Sequence, residues 1–521
     1  GNVKYPKRIC EIVHIRTQKS TCKWLSIWLF KGMITSFYKK IFKNLESDRT
    51  FYINDKESKT YKDLKGFYQK FVNIVSFLPA KRNKIFILSE KSFELYAASI
   101  SIVLSDNIWT PVSQTLPEDR IIDMVNILSP DLFIFDNFNT LKKLKLKNFL
   151  RKRKINVITF DEIVSSIPVK DNPIPKYKKI DTSMIFFTSG STGKPKGVKI
   201  SHSSFIFSLV KQVKKIYGKN ENLIFGDYHD ISFVISLNIL FPCIYLGAQI
   251  SPGILAKDIL FPIDHINRNK INTIVTVPTT INRIKHYYKK IKNKLNLKFL
   301  VLCGEPFYFE MLRYLLSKHF SKNIFNAYGS TELSPWGFCH KCNHSDLKKY
   351  SDEVMVPIGK PFEQVKIKIL DREIYIGGPL LSNGYVDSRE NEGTFKTINN
   401  TKYYKTGDIA VKKKDVYFIK GRNDNVVKVF GYRVDLFDID AILRRNEKIK
   451  NCFVFTRENF ENEKIICAAI EGKKINERNV VEKLKKKLPN YMIPKELKVL
   501  GKFPVNKNNK LDRTALKKLF V

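Results

Sequence analysis

Acidic residues are scarce in this chain. Against 92 lysines and arginines stand 50 aspartates and glutamates, so the 521 residues carry a formal charge of +42. Such a surplus attracts nucleic acid, anionic membrane or an acidic protein. It is spread along the whole chain, however, and runs such as KKLKLKNFLRKRK (142–154) have neither interleaved stacking aromatics nor a nucleic-acid motif. They read as solvated lysine surface, and no nucleic-acid partner is expected. Cysteine is sparse too. Eight residues at irregular spacing cannot build a disulfide framework and suit a reducing compartment, so a cytoplasmic location is expected. The one cluster, Cys339, His340, Cys342 and His344, is too cramped for a tetrahedral zinc finger. No N-terminal segment has the charged, apolar, small-residue order of a signal peptide. One uncharged stretch, ISFVISLNILFPCIYLGAQISPGILA (231–256), is long enough to span a bilayer, but Asn238, Pro242, Gly247, Gln249, Pro252 and Gly253 divide it. It reads as a buried helix, then a turn and a strand, and no membrane span is expected.

What is present is a large core. Hydrophobic residues make up 43% and aromatics 12%, which excludes a disordered chain, and the length calls for more than one domain. The β-like runs KIFILS (84–89), DLFIFD (131–136), INVITF (155–160), INTIVTV (271–277) and LKFLVLCG (297–304) are separated by helix-length segments. That rhythm predicts an α/β fold with mostly parallel, doubly wound sheets. From about residue 360, closely spaced strands (VKIKIL, EIYIGG, DVYFIKGR) predict a small β subdomain. The tail gives a strand-like VVKVFGYRVD, a helix at DIDAILRRN, strands at NCFVFTR and KIICAAI, and a helix at ERNVVEKLKKKL, enough for a small α+β domain. The expected division is 1–30, an extension of unassigned role; 31–422, a large N-terminal domain; and 423–521, a small C-terminal one.

Residues 186–202, FFTSGSTGKPKGVKISH, follow an apolar run with a loop rich in glycine and hydroxyls. A Walker loop needs more residues before its GK[ST], and Pro195 stands where its metal-binding hydroxyl belongs. The loop is not a P-loop. Thr188, Ser189, Ser191 and Thr192 still offer hydroxyl donors, and Gly190, Gly193 and Gly197 let backbone N–H groups converge on phosphate oxygens beside Lys194.

Five further stretches follow in order: NAYGSTE (326–332), YYKTGD (403–408), GRNDNVVKVFGYRVD (421–435), LPNYMIP (488–494) and PVNKNNKLDR (504–513). With TSGSTGKPKGV they resemble, from about residue 50 to 515, the core motifs of the adenylate-forming enzyme superfamily, in particular its aminoacyl-type members such as D-alanine:carrier-protein ligases and stand-alone peptide-synthetase adenylation domains. The resemblance implies a large AMP-binding domain and a mobile C-terminal lid, with ATP and Mg²⁺ as cofactors. A carboxylate attacks the α-phosphorus of ATP, so two anions must meet while pyrophosphate leaves, which demands positioned positive charge.

By this resemblance Lys510 bridges carboxylate and phosphate during adenylation. Glu332 holds Mg²⁺ and Thr331 hydrogen-bonds the α-phosphate. Thr188, Ser189, Gly190, Ser191, Thr192, Gly193 and Lys194 grip phosphate, while Gly304, Glu305, Asn326, Ala327, Tyr328, Gly329 and Ser330 line the nucleotide. Asp408 takes the ribose hydroxyls beside Arg422. A hinge falls at Asp424; Lys428 belongs to the face used in a second step, and Gly431 to a narrow thiol tunnel. Asn509 replaces a usual glycine before Lys510 and Ser330 a usual proline, neither of which puts the chemistry in doubt.

The expected product is an acyl-adenylate passed to the phosphopantetheine thiol of a separate acidic carrier protein. An acyl- or aryl-CoA ligase and a catalytically silent nucleotide-binding protein are the alternatives. Val234 stands where the family usually has an aspartate for the substrate's α-amino group, with Cys303 and Pro335 on the pocket wall. Either the small carboxylic substrate has no α-amino group, or another acid such as Asp230 or Asp227 holds it.

Overall fold

The computed structural model describes residues 32–137, 143–170, 174–188, 194–220, 222–288, 295, 297–422, 426–444, 446, 448–472, 475–504 and 512–520. Two large sheets organise the first two-thirds of the chain. One has six strands in the order Asn156–Thr159, Leu132–Phe135, Lys84–Leu88, Ile108–Val112, Thr182–Thr188 and Lys196–Ser201, parallel except for the last pair. The other has eight, in the order Trp336–Cys342, Ser321–Gly329, Leu297–Cys303, Thr273–Thr276, Ile224–Asp227, Gln249–Pro252, Thr50–Ile53 and Ser58–Thr60. Its inner neighbours are parallel and its two edge pairs antiparallel. Leu132–Phe135 and Thr273–Thr276 are buried throughout, as parallel strands covered on both faces must be.

Helices pack between and around these sheets, and their ends follow from the sequence. Tyr61–Ser76 begins at a capping box, in which Thr60 accepts from the Asp63 amide and Asp63 accepts from the Thr60 amide, and it buries Tyr61, Leu64, Tyr68, Phe71 and Val75 along one stripe. Phe93–Leu104 starts at Ser92 and is buried almost all round, the state its near-uniform apolarity requires. The uncharged stretch after residue 231 folds as expected: a 3₁₀ turn Val234–Ser236, a buried helix Leu237–Leu246 closed by Gly247 at φ +66°, and the strand Gln249–Pro252. Pro242 cannot donate to the Asn238 carbonyl, which instead accepts from Gln212 Nε2 at 3.4 Å. Among the described residues no helix is long and apolar enough to cross a membrane.

A five-stranded antiparallel sheet follows, built from Lys366–Leu370, Glu373–Gly377, Phe395–Ile398, Thr401–Lys413 and Val416–Arg422. The tail carries a three-stranded sheet of Asn451–Glu458, Lys464–Glu471 and Glu496–Leu500 against the helices Leu436–Arg444 and Glu477–Lys485. Among the described residues, the hydrophobic core clusters of the preceding part end at Ile419 and those of the tail begin at Val427.

One element departs from the sequence reading, and one strand was absent from it. The stretch VVKVFGYRVD is a hairpin rather than one strand: Val426–Val429 pairs with Tyr432–Asp435, and Phe430 and Gly431, at φ +50° and +82°, make the turn. Both central residues at positive φ match the twist of a two-residue hairpin. Ile108–Val112 is an inner strand despite Pro111, a residue that argues against one. It survives because its pairing with Thr182–Thr188 is confined to Trp109 opposite Met184.

Candidate active site

The parallel strands Leu297–Cys303 and Ser321–Gly329 end side by side, and their last residues open onto two cavities. Carboxyl ends of parallel strands are where open α/β sheets bind ligands. Gly304, Gly329, Ser330, Lys428 and Arg433 line both cavities and form the passage between them.

The larger cavity, about 310 Å³, is walled by Gly304, Glu305, Asn326, Ala327, Tyr328 and Asp408. Asp408 and Arg422 face each other across adjacent strands, so the antiparallel register itself delivers the ion pair. Arg422 Nη1 donates to Asp408 Oδ1 at 2.5 Å, and the Tyr328 hydroxyl donates to Oδ2 at 2.5 Å. Arg422 is anchored from behind by the Thr406 carbonyl, 3.1 Å from Nη2. Asn326 is buried and donates to the carbonyls of Val356 and Pro357 at 3.1 and 3.0 Å, which ties the neighbouring loop to the cavity rim.

The smaller cavity, about 110 Å³, is lined by Thr188, Val234, Asn238, Cys303, Thr331, Pro335 and Trp336 among others. Thr188 closes its strand, with Oγ1 3.4 Å from the Lys196 carbonyl, while Lys194 is exposed. Cys303 is buried, and burial pushes its thiol up out of the reactive range. Asp230 lies directly behind this wall, bonded to Ser113 and Ser232, which line it. Its Oδ2 accepts from Ser113 Oγ at 2.6 Å and its Oδ1 from Ser232 Oγ at 2.6 Å.

Glu332 is 1% exposed and lies on the 3₁₀ turn Thr331–Leu333. Its Oε1 accepts from the Tyr385 hydroxyl at 2.7 Å and from Arg433 Nη1 at 2.9 Å; its Oε2 has no hydrogen-bond partner among the described residues. Burial pushes this carboxyl up, but Arg433 and the Tyr385 hydroxyl outweigh it and hold the group below its ordinary value.

Across the passage the C-terminal hairpin presents Lys428, Gly431 and Arg433. Burial, then the nearby Arg433 charge, brings the Lys428 ammonium down to about 8. The Gly431 amide donates to Glu305 Oε1 at 2.6 Å, and Glu305 Oε2 accepts from Thr279 Oγ1 at 2.6 Å. Burial raises the Glu305 carboxyl in spite of these donors. A Cβ at Gly431 would lie 2.6 Å from a Val277 methyl and 3.2 Å from the Phe233 ring, so the hairpin tip enters a slot that only glycine fits.

Of the sequence-derived residues, the fold brings Thr188, Val234, Cys303, Gly304, Glu305, Asn326, Ala327, Tyr328, Gly329, Ser330, Thr331, Pro335, Asp408, Arg422, Lys428 and Gly431 to one place. Ser189, Gly190, Ser191, Thr192, Gly193, Asp424 and Lys510 lie outside the described residues. Sequence reasoning missed Arg433, Tyr385 and Asn238. Arg433 was within reach, two positions after Gly431 in the same motif; nothing local marks Tyr385, which lies in the segment between Glu373–Gly377 and Phe395–Ile398.

Residues 42–386 match the family model described as AMP-binding enzyme. The D-alanine–D-alanyl carrier protein ligase of Staphylococcus haemolyticus is 25% identical over 479 residues, 88% of this chain and 93% of that protein. Bacitracin synthase 3 of Bacillus licheniformis is 27% identical over 454 residues, 82% of this chain but only 7% of that much longer protein. The crystal structure of the Vibrio cholerae adenylation domain AlmE, in complex with glycyl-adenosine-5'-phosphate, superposes with a TM-score of 0.79 at 19% identity, covering 92% of this chain and 97% of that one. That likeness establishes a shared α/β fold. A match over most of the length, together with a site assembled from the motifs' own residues, makes this chain a member of the AMP-binding enzyme family.

Proposed function

We propose that this chain is an ATP-dependent ligase that activates a small carboxylic or amino acid as an acyl-adenylate and then passes it to the phosphopantetheine thiol of a separate acidic carrier protein. The observation that carries this reading is the junction at Lys428, where a cavity bearing the Asp408–Arg422 pair meets a second cavity beside the hairpin tip. A nucleotide sugar with two hydroxyls suits an ionised acceptor such as Asp408, and an acid in the second cavity would reach the α-phosphate at the passage.

In the first step an oxygen of the acid forms a bond to the α-phosphorus and the bond to pyrophosphate breaks. Thr188 with the loop 189–193 orients the phosphates, and Lys510 neutralises the meeting anions. Mg²⁺ fits Glu332, whose Oε2 is a buried carboxylate oxygen without a partner among the described residues; the ion would supply charge to the leaving pyrophosphate. In the second step the thiol sulfur attacks the acyl carbon, AMP leaves, and the thiol proton passes to the phosphate or to water. Lys428 then faces the phosphate. The two steps require the C-terminal part to turn about a hinge at Asp424, and the separation of the described core clusters between Ile419 and Val427 supports a boundary in that stretch. The described arrangement, with Gly431 in its slot, fits the second step.

The acceptor is drawn from the full-length similarity to carrier-protein ligases, and the +42 charge suits an acidic carrier. The test is to incubate the chain with ATP and a panel of acids, with holo carrier proteins or coenzyme A, and to follow pyrophosphate and thioester. Acid-dependent pyrophosphate release with thioester on a carrier is the expected result. Thioester on coenzyme A alone would overturn the choice of acceptor, and nucleotide binding without acid-dependent turnover would overturn the enzyme assignment.

A further inference from the structure

The larger cavity is not walled by the body of the chain alone. One of its lining residues, Lys464, opens the strand Lys464–Glu471 of the tail's three-stranded sheet, and no other described residue of that sheet reaches the cavity. Lys464 is there because the tail is docked in this arrangement. The docking is made by the Gly431 amide on Glu305, by Arg433 on Glu332 and by the Lys487 ammonium on Asp119 at 2.8 Å. Turning the tail for the first step would carry Lys464 away from the cavity.

The start of this strand is braced. Asn451–Glu458 and Lys464–Glu471 pair along their full length, and Asn459 ties the turn between them. Its amide donates to the Glu463 carbonyl at 2.9 Å, and its Oδ1 accepts from the amides of Glu461 and Glu463 at 2.9 Å each. Glu458, opposite Lys464 in register, locates it along the cavity: burial and then the Glu458 charge raise the Tyr308 phenol, and Tyr308 lines the same cavity. Lys464 therefore lies toward the wall of Phe307 and Tyr308. It is not among the residues of the passage, where Lys428 faces the phosphate in the reading above, and the sugar end belongs to Asp408 and Arg422. What remains on its side is the place of a flat base.

An ammonium here has donors that the protein does not use. Among the described residues the cavity is lined by two acids, Glu305 and Asp408. Both are engaged, Glu305 by the Gly431 amide and Thr279, Asp408 by Arg422 and Tyr328. Lys464 itself makes no hydrogen bond or ion pair among the described residues. With three donors, no acceptor and a flexible stem, it suits the in-plane lone pairs of a purine ring.

We propose that Lys464 is a nucleotide-binding residue lent by the tail, its ammonium donating in this arrangement to a ring nitrogen of adenine. This rests on the adenylation reading above. The contact exists only while the tail is docked, so bound nucleotide and docked tail stabilise each other by the same factor. AMP is then held more tightly in the second step than the body alone would hold it, and it is loosened as the tail turns away.

The experiment is calorimetric titration of the full chain with AMP and with 1-deaza-, 3-deaza- and 7-deaza-AMP, each of which lacks one ring nitrogen. Lys464→Met should weaken AMP binding by about tenfold, and Lys464→Arg, which keeps a donor, by less. One of the three analogues should bind the wild type about tenfold more weakly than AMP and lose nothing further on Lys464→Met. The KM for ATP in pyrophosphate exchange, which needs the tail elsewhere, should rise by a smaller factor than the AMP Kd. AMP binding by Lys464→Met within about twofold of wild type would overturn the inference. So would a loss on Lys464→Met that is the same for AMP and all three analogues, which would make Lys464 a packing residue of the tail. Failure of the wild type to bind either AMP or ATP would instead overturn the nucleotide reading, and the inference with it.

Discussion

Replacing Gly431 with alanine should separate the two half-reactions. The added Cβ would lie 2.6 Å from a Val277 methyl and 3.2 Å from the Phe233 ring, at a residue whose φ is +82°. An L-residue in the left-handed region costs about 1–2 kcal/mol, and forcing a methyl into a filled slot costs about 1–3 kcal/mol more. Taking roughly 2–4 kcal/mol against this docking, at ~1.36 kcal/mol per decade, its population falls on the order of 30- to 1000-fold. Thioester formation from preformed adenylate, followed by quench flow, should slow by that factor. Pyrophosphate exchange, which needs the hairpin elsewhere, should change less than about threefold. Adding Val277→Ala should recover about tenfold, since it relieves the contact and not the backbone strain. Equal losses in both half-reactions, or thioester formation within about threefold of wild type, would refute the assignment of this arrangement to the second step.

Two further substitutions probe the charges at the passage. Arg433→Met removes the cation that holds the Glu332 carboxyl down, so thioester formation should slow by roughly 10- to 100-fold. Because the folded Glu332 value is depressed, its stabilising pair is present above the ordinary carboxylate range and lost as pH falls through the folded value. The difference in Tm between wild type and Arg433→Met should therefore shrink toward acid pH; a gap independent of pH would count against the pair. Lys428, brought down to about 8, should be partly neutral near that pH, and an anionic phosphate beside it should restore its proton. AMP binding should thus take up a proton near pH 8–9 and none near pH 6, read by calorimetry in buffers of differing ionisation enthalpy. Lys428→Met should abolish the uptake, and its persistence would place the phosphate elsewhere.

Much of the site was legible because its chemistry is written in contiguous motifs. Tyr328, Thr331 and Glu332 come from seven consecutive residues, and Asp408 and Arg422 from stretches that resemble the family's ribose motif and hinge. The strands of the parallel sheets were legible where they are long and apolar, as at Lys84–Leu88 and Leu297–Cys303. They were not where a proline or polar residues interrupt them, as at Ile108–Val112 and Ser321–Gly329, since only neighbouring strands make those backbones extended. The hairpin at 426–435 was hidden because Phe430 at positive φ has no local signature; the bulky residue is held there by the pairing on either side.

The order of the motifs determined the family-level chemistry and the α/β class, because groups that must contact one ligand within a few ångströms are selected together along short loops. Which charges face which was decided by the tertiary structure alone. Arg433 meets Glu332 across a separation of 101 residues, Tyr385 reaches the same carboxylate from the segment between Glu373–Gly377 and Phe395–Ile398, and Asp230 is held behind the cavity wall by Ser113. These pairings depend on the relative placement of sheets and hairpin, and burial is what makes each one matter: in water the same groups would be screened and interchangeable.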